Sequence, residues 1–452
     1  MRKIVLFVAL LLGLLQCVRQ PISHENVELR VVFSNVDAWG VQDIAVLVND
    51  SIVGRTDEQG FFTVPRLYET DSLWVEDPDF TFSRSRLETS SKAFYYEFKA
   101  QKQRDSFDLA AVDFLADLQL PNGLVPSIEG GTVISTYDQA LAIIAYCLSG
   151  NLEAAEKTLD FFDARRTTEL DQGLGGFYQF RSPTGEPTGN RWMGDNAWLL
   201  QAVHIYHTSA NTAMPFKYYA LEGSLYWWLV SLEDPYGDGL YGGYRANGDT
   251  IHKITEGNID AFAVIFDYAA LRASILRHLE TEKWDPLDGN LMAWPTNPSY
   301  KYALDCNTWS YCAFPDFPES ARTALDKYEL TTTSDITGES ITGYCFDEDQ
   351  DALWFEGTAQ VAVMHWVAND SIAANEVLGE LRKGWITNAS GHRGLPYAAN
   401  HGSSYGADAL WATASTDPCV SSTAWYLMAS HRFNPFRGSK MRNISEGPVF
   451  WL

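Results

Sequence analysis

Basic residues are scarce in this chain. Of 452 residues, 33 are Lys or Arg and 58 are Asp or Glu, a formal net charge of -25. That deficit excludes nucleic acid and anionic membranes as expected partners, because phosphate groups are bound by neutralising them with Lys and Arg. It argues in the same direction, less strongly, against polyanionic glycans. Long apolar runs are scarce as well. After the first seventeen residues none reaches the roughly 20 residues a membrane span needs, so the remainder is expected to be soluble. Cysteine is sparse, at 17, 147, 306, 312, 345 and 419, and never in CxxC spacing, which argues against a zinc site. His204 and His207 stand three apart with no Glu-x-x-His context, and Asp347-Glu348-Asp349-Gln350-Asp351 lacks the Gly and distal Glu of a calcium loop. No metal and no cofactor is expected.

Several features are abundant. Residues 1–17, MRKIVLFVALLLGLLQC, have a basic start and an apolar run of about twelve residues, the pattern of a secretory signal. Leu14-Leu15-Gln16-Cys17 is an imperfect lipobox, so export as a secreted, periplasmic or surface-anchored protein is expected. Cys17 is the one expected membrane link. Residues 25–95 contain short β-rich runs, Val27–Val31, Ile44–Val48, Phe61–Val64 and Leu73–Val75, bounded by turn signals at Asn49-Asp50 and Asp57–Gly60. They predict a small all-β sandwich. Residues 83–104 are polar and read as a linker.

From residue 105 to 436 the period becomes helical, with 437–452 left as a tail. Six times a mainly apolar segment opens on a polar cluster, at Tyr137-Asp138-Gln139, Gly194-Asp195-Asn196, Thr255-Glu256-Gly257-Asn258, Asp305-Cys306-Asn307, Phe355-Glu356-Gly357-Thr358 and Val420-Ser421-Ser422-Thr423. The steps are 57, 61, 49, 51 and 65 residues, counted from 138, 195, 256, 305, 356 and 421. Between them lie amphipathic segments at 106–120, 152–166, 215–233, 270–282, 317–328 and 371–383. One-sided helices are surface helices, and helices apolar nearly all round are buried. The alternation predicts a mainly α fold, an (α/α)6 toroid of twelve alternating outer and inner helices behind the N-terminal β-sandwich. Gly- and aromatic-rich loops, such as 173–178, 236–244 and 394–397, suit a roof on one face.

The inner helices run in one direction, so their N-termini share one mouth. Acidic residues are stabilised there by the helix dipole and can serve simply as caps. Six such starts around one cavity, interleaved with aromatics, form an acidic bowl with aromatic walls. Glycosidic bond cleavage needs such a bowl: a carboxylic acid to protonate the leaving oxygen and a carboxylate to activate water or attack. Opposite helices carry Asp195 and Glu356, and likewise Asp138 and Asp305, at a span suited to inversion. Glu356 is the expected acid, with Trp354 and Phe355 beside it to raise its pKa. Asp195 is the expected base. Glu256, one helical turn from Asp260, is a further catalytic candidate, as is Asp138. Tyr137, Trp192, Trp198, Asp260, Asp305, Trp309, Trp354 and Tyr397 are the expected substrate-binding residues.

The phrases Thr255–Ala261, Trp354–Gln360 and Tyr137–Ala140, within this alternation, resemble secreted bacterial proteins of the six-hairpin glycosidase superfamily. The likeness covers about 105–436. It implies that acidic residues at the inner-helix starts act as general acid and base. The run Val53–Val64 resembles carboxypeptidase-regulatory-like β-sandwich modules and implies no activity. The expected function is an exported glycoside hydrolase acting on a neutral poly- or oligosaccharide, with inversion. Two alternatives stand beside it. A polysaccharide lyase would use Tyr397, His392, Arg393 and His401 to neutralise and deprotonate a uronate. A glycan-binding lipoprotein would use the aromatics alone.

Overall fold

The computed structural model describes residues 23–36, 39–68, 70–83, 86–88, 95–210, 217–297, 301–387, 391, 393–401, 414–437 and 450–451. The expected signal with Cys17, His392, and residues 438–449 and 452 of the expected tail lie outside the described residues. The chain divides into two compact units, one ending at Val32 and resuming over Gly40–Gln101, the other comprising Phe33–Trp39 and Lys102 onward.

The first unit is all β. Its strands are β1 (Ser23–Phe33), β2 (Ala45–Val48), β3 (Ser51–Arg55), β4 (Phe61–Tyr68), β5 (Ser72–Glu76), β6 (Phe80–Phe82), β7 (Arg86–Glu88) and β8 (Tyr95–Lys102). They form two four-stranded sheets, in the orders β4-β1-β8-β6 and β3-β2-β5-β7. Alternate residues are buried, Val27, Leu29 and Val31 on β1 and Leu73 and Val75 on β5, as a strand with one covered face requires. Asn49 and Asp50 turn β2 into β3 with φ of 49° and 65°, the two-residue hairpin geometry that Asn and Asp tolerate. The expected linker at 83–104 is corrected: β7 pairs with β5 and β8 lies between β1 and β6. Tyr96, Phe98 and Ala100 alternate inward there, beneath charges that hide the pattern.

The second unit is helical. Its helices are α1 (Ser106–Leu118), α2 (Thr136–Ser149), α3 (Leu152–Asp163), α4 (Met193–Ala210), α5 (Tyr219–Val230), α6 (Thr255–Val264), α7 (Ala269–His278), α8 (Leu304–Ala313), α9 (Ser320–Thr323), α10 (Phe355–Val367), α11 (Ser371–Lys383) and α12 (Val420–Ser430). The even-numbered helices touch in cyclic order, α2 to α4, then α6, α8, α10 and α12, and α12 returns to α2. Residues 136 and 138–148 of α2 are buried without a break, whereas α3 buries one stripe including Ala155, Leu159 and Phe162. Asp105 caps α1 in a reciprocal box with Asp108. Asp108 also accepts the Ser430 hydroxyl at 2.6 Å, which ties the first helix to the last. Trp451 packs its ring on Phe314 and Phe317. Among the described residues no helix is long and apolar enough to cross a membrane.

The expected outer helix at 317–328 is a second correction. It is one α-turn, α9, followed by a 3-10 turn at Ala324–Lys327 and a hairpin, Glu329–Thr333 with Ser340–Tyr344. Pro318 holds Phe317 before it out of helical geometry, which sets the late start, and the chain beyond Thr323 tightens into the 3-10 turn.

Candidate active site

Asn307 of α8 donates to the Tyr328 hydroxyl at 3.3 Å; each of the other even-numbered helices begins with two polar residues that do different work. One faces the cavity and the other clamps the backbone of another segment of the chain. Gln139 accepts from Val125 N–H at 2.8 Å and donates to Val125 C=O at 2.7 Å. Asn196 does the same to Phe177, at 2.8 and 3.0 Å, and Asn258 to Leu240, at 2.9 and 3.1 Å. Thr358 accepts from Tyr344 N–H at 3.0 Å, and Thr423 from Leu395 N–H at 3.1 Å. Buried backbone groups need such partners. This clamp explains half of the polar pattern at five of the six starts.

The other half is acidic. Asp138, Asp195, Glu256, Asp305 and Glu356 lie in the first turns of α2, α4, α6, α8 and α10. They are not N-caps. Ser135 caps α2, and the N-cap positions of α6, α8, α10 and α12 make no side-chain cap bond. The five acids and Asp260, one turn further along α6, instead line a cavity of about 470 Å³. Tyr137, Trp192, Trp198, Trp309, Trp354 and Tyr397 line it too, so all twelve residues singled out from the sequence meet at one place.

Tyr137 links two of the acids. Its hydroxyl donates to Glu356 Oε1 at 2.7 Å, and its backbone N–H donates to Asp195 Oδ1 at 3.1 Å. Trp425 Nε1 in turn donates to the Tyr137 hydroxyl at 2.9 Å. Gln360 reaches Glu356 Oε1 at 3.4 Å and is itself held by Thr308 at 2.8 Å. Oδ2 of Asp138, Oδ2 of Asp195, and Oδ1 of both Asp260 and Asp305 are buried without a hydrogen-bond partner among the described residues. Such oxygens face a ligand or carry a proton, since an unpaired buried charge is costly.

Burial disfavours the ionised form of every acid here. It pushes Asp138 up to about 8, against a Ser127 hydrogen bond, with Glu356 and Asp195 adding repulsion. It pushes Asp195 to about 7, opposed by the Tyr137 N–H. Glu356 also stands at about 7, its burial opposed by donation from Tyr137, Ser421 and Gln360. Asp260 and Asp305 lie well above the carboxylate range, by burial and by repulsion from neighbouring acids. Glu256 is raised by burial, with Lys283 drawing it down. Carboxyls perturbed into the neutral range are suited to proton transfer at working pH.

The aromatic wall is rigid. Trp198, only 2% exposed, meets Tyr137, Trp309, Trp425 and Phe436 at ring distances of 5.2 to 5.6 Å. Trp192 sits on a two-residue strand paired with Gly243. Gly243 has φ of 108°, and a Cβ there would lie 1.9 Å from Arg191 O, so only glycine lets that strand approach. Phe355 departs from expectation: its ring lies against Gly384 and not in the cavity, leaving Trp354 as the desolvating neighbour of Glu356.

Further lining residues were not legible in the sequence. Gln179, Phe180, His252, Trp294 and Phe346 also line the cavity. They come from connecting segments, whose aromatic and glycine content was the available signal. Glu256, Asp305 and Cys306 present ligand atoms within 4.8 Å of one another, the one such group among the described residues. The Cys306 thiol is held well above its ordinary value by burial and by both acids, and Lys283 already supplies positive charge beside Glu256. This donor set suits a protonated thiol better than a thiolate ligand. All five described cysteines are buried, and none forms a disulfide with another described residue.

No protein-family model matches the chain, and no curated protein matches it in sequence. Solved structures share its fold. A glycosidase superposes with a TM-score of 0.54 at 14% identity, over 73% of this chain and 99% of its own. A glycosidase variant in complex with glucose gives 0.53 at 15%, over 73% and 99%. A novel α-amylase from Clostridium perfringens gives 0.51 at 12%, over 73% and 99%. The helical fold is therefore glycosidase-like.

Proposed function

We propose that this protein is an exported glycoside hydrolase that cleaves a neutral poly- or oligosaccharide. In this reading the cyclic helix packing is an (α/α)6 toroid spanning 105–436. The first unit is a carboxypeptidase-regulatory-like β-sandwich over 25–95. Residues 1–17 direct export, with Cys17 as the lipid site. The observation that carries the reading is the gathering of six carboxyls, all with raised pKa, in one aromatic-walled cavity.

Glu356 is the general acid. Its proton passes to the glycosidic oxygen as the bond from that oxygen to the anomeric carbon breaks. Asp195 is the general base and takes a proton from the water whose oxygen bonds to the anomeric carbon from the opposite face. That single displacement inverts configuration and needs carboxyls about 6.5–9.5 Å apart. Asp138 and Glu256 remain as alternates for the base. Asp260 and Asp305 accept sugar hydroxyls, and Trp192, Trp309, Trp354 and Tyr397 stack against sugar faces.

A lyase would need a cation to neutralise a uronate carboxylate. Among the described residues the cavity lining contains no Lys or Arg, His401 pairs with Asp335 at 2.9 Å outside it, and Arg393 lies over the Phe107 ring. The test is release of reducing ends from a panel of neutral and acidic polysaccharides, with absorbance of unsaturated uronate followed in parallel. Reducing ends without new absorbance support hydrolysis. New absorbance overturns it in favour of elimination.

A further inference from the structure

A second groove lies on the helical unit, and it shares no lining residue with the acidic cavity. It measures about 630 Å³ and is formed by α5 and the turn from Leu170 to Gly175. Tyr219 and Trp227, at its edge, are 61% and 65% exposed. Two exposed rings bordering one groove form an apolar patch, and such patches mark binding surfaces. Eight residues apart on one helix, their positions are separated by about 12 Å along the axis and lie on the same side.

Gly223 stands midway between them, and it has no packing reason to be there. A Cβ at this position would meet no atom within 4 Å. Glycine in a helix interior is nonetheless destabilising by roughly 0.5–1 kcal/mol relative to alanine. What the glycine provides is a bare stretch of helix between two rings, open to close approach by a ligand.

The Trp227 ring is held by its neighbour. The edge of Tyr226 meets Trp227 at 5.3 Å and 86°, and the Tyr226 hydroxyl is fixed on Asp267 at 2.8 Å. Trp228 forms the floor, donating to Leu174 C=O at 3.0 Å. The one charged residue in the lining among the described residues, Asp171, is neutralised by Arg166 at 2.9 Å. In a chain with net charge -25, the groove is thus a charge-compensated patch offering aromatic faces with the Ser224 and Ser231 side chains between and beside them.

We propose that this groove is a second glycan-binding site, in which Tyr219 and Trp227 stack on a neutral polysaccharide whose backbone passes over Gly223. The proposal rests on the reading of the cavity as a site for neutral saccharide. Gly175 of the groove and Gln179 of the cavity are four residues apart, at most about 14 Å of chain. A polymer held in the groove therefore stays near the mouth, at a raised effective concentration.

The test is native affinity electrophoresis of the full chain in gels containing soluble starch, xyloglucan or galactomannan. The Glu356→Gln protein is the background, so that no polymer is consumed. Retention by at least one polymer is expected, and Trp227→Ala and Gly223→Leu should each weaken it about tenfold, a loss of about 1.4 kcal/mol. Gly223→Leu should leave the melting temperature unchanged or higher, which separates binding from folding. Unchanged retention in both variants, or no retention in any gel, overturns the site. Self-association that depends on Trp227 in sedimentation also overturns it, in favour of a second copy of this chain. Retention that falls in the groove variants of a protein that hydrolyses nothing keeps the groove and removes only the catalytic reading.

Discussion

The Tyr137 hydroxyl donates to Glu356 Oε1 at 2.7 Å across 219 residues of sequence. A donor to a carboxylate stabilises its ionised form and so holds its pKa down. Glu356 stands at about 7 with that donor in place. In Tyr137→Phe the pKa should rise, and Glu356 should keep its proton to higher pH. The alkaline limb of the kcat/KM profile is expected to move up by about one pH unit, the worth of one such hydrogen bond. A limb that stays or moves down would remove Glu356 from the acid role.

Asp138 stands at about 8 in the folded protein and at about 3.9 unfolded. Between those values the folded state binds the extra proton, so this group's contribution to stability falls as pH rises from about 4 to about 8, and is flat beyond. His278, His365 and His431 are lowered to about 4 by burial. They act in the opposite sense between about 4 and 6.5, so the comparison needs a variant. Asp138→Asn should gain in unfolding free energy relative to wild type as pH goes from 5 to 8, measured by denaturant titration at both. A constant difference would show that Asp138 titrates normally.

Arg181 is fully buried and forks onto Glu169, with Nη1 and Nη2 at 3.0 and 2.6 Å from its two oxygens. Removing one partner of a buried pair leaves an uncompensated charge, at a cost of about 3–5 kcal/mol. Arg181→Met should lose that much in denaturant unfolding, and Arg181→Met with Glu169→Gln should recover most of it. Phe180, which lines the cavity, pairs with Ser135 on the same short strand. The single variant should therefore also raise KM. Equal stability of the single and double variants would contradict a paired charge.

Asn258 is fully buried, and both its bonds to Leu240 hold the loop that presents Gly243 to Trp192. Asn258→Ala should cost about 1–3 kcal/mol through the unpaired Leu240 groups. It should raise KM more than it lowers kcat, because the loop loosens while the carboxyls stay. A fall in kcat alone would place Asn258 in the chemistry.

The helical half was legible because two periodicities overlap in it. Buried helices such as α2 are apolar nearly all round, surface helices such as α3 are apolar on one stripe, and their alternation recurs at each polar start. The acids were legible for the same reason: Asp138, Asp195, Glu256, Asp305 and Glu356 each interrupt an apolar segment at its first turn. The clamping half of those clusters was not, since Asn196 and Phe177 are neighbours only in space. Gln179, His252 and Trp294 reach the cavity from loops whose course no local pattern sets. β8 was hidden by the charges on its open face, and no local pattern marks where α9 tightens into the 3-10 turn at Ala324.

The most direct test is kcat/KM of Glu356→Gln and Asp195→Asn against wild type, on whichever polysaccharide yields reducing ends, with each variant shown to be folded by its melting temperature. General acid and base groups contribute about 10²–10⁴-fold each. The expected result is a loss of that size in both variants. Activity within a few-fold of wild type in a folded Glu356→Gln would contradict the assignment of this cavity as the hydrolytic centre with Glu356 as its acid.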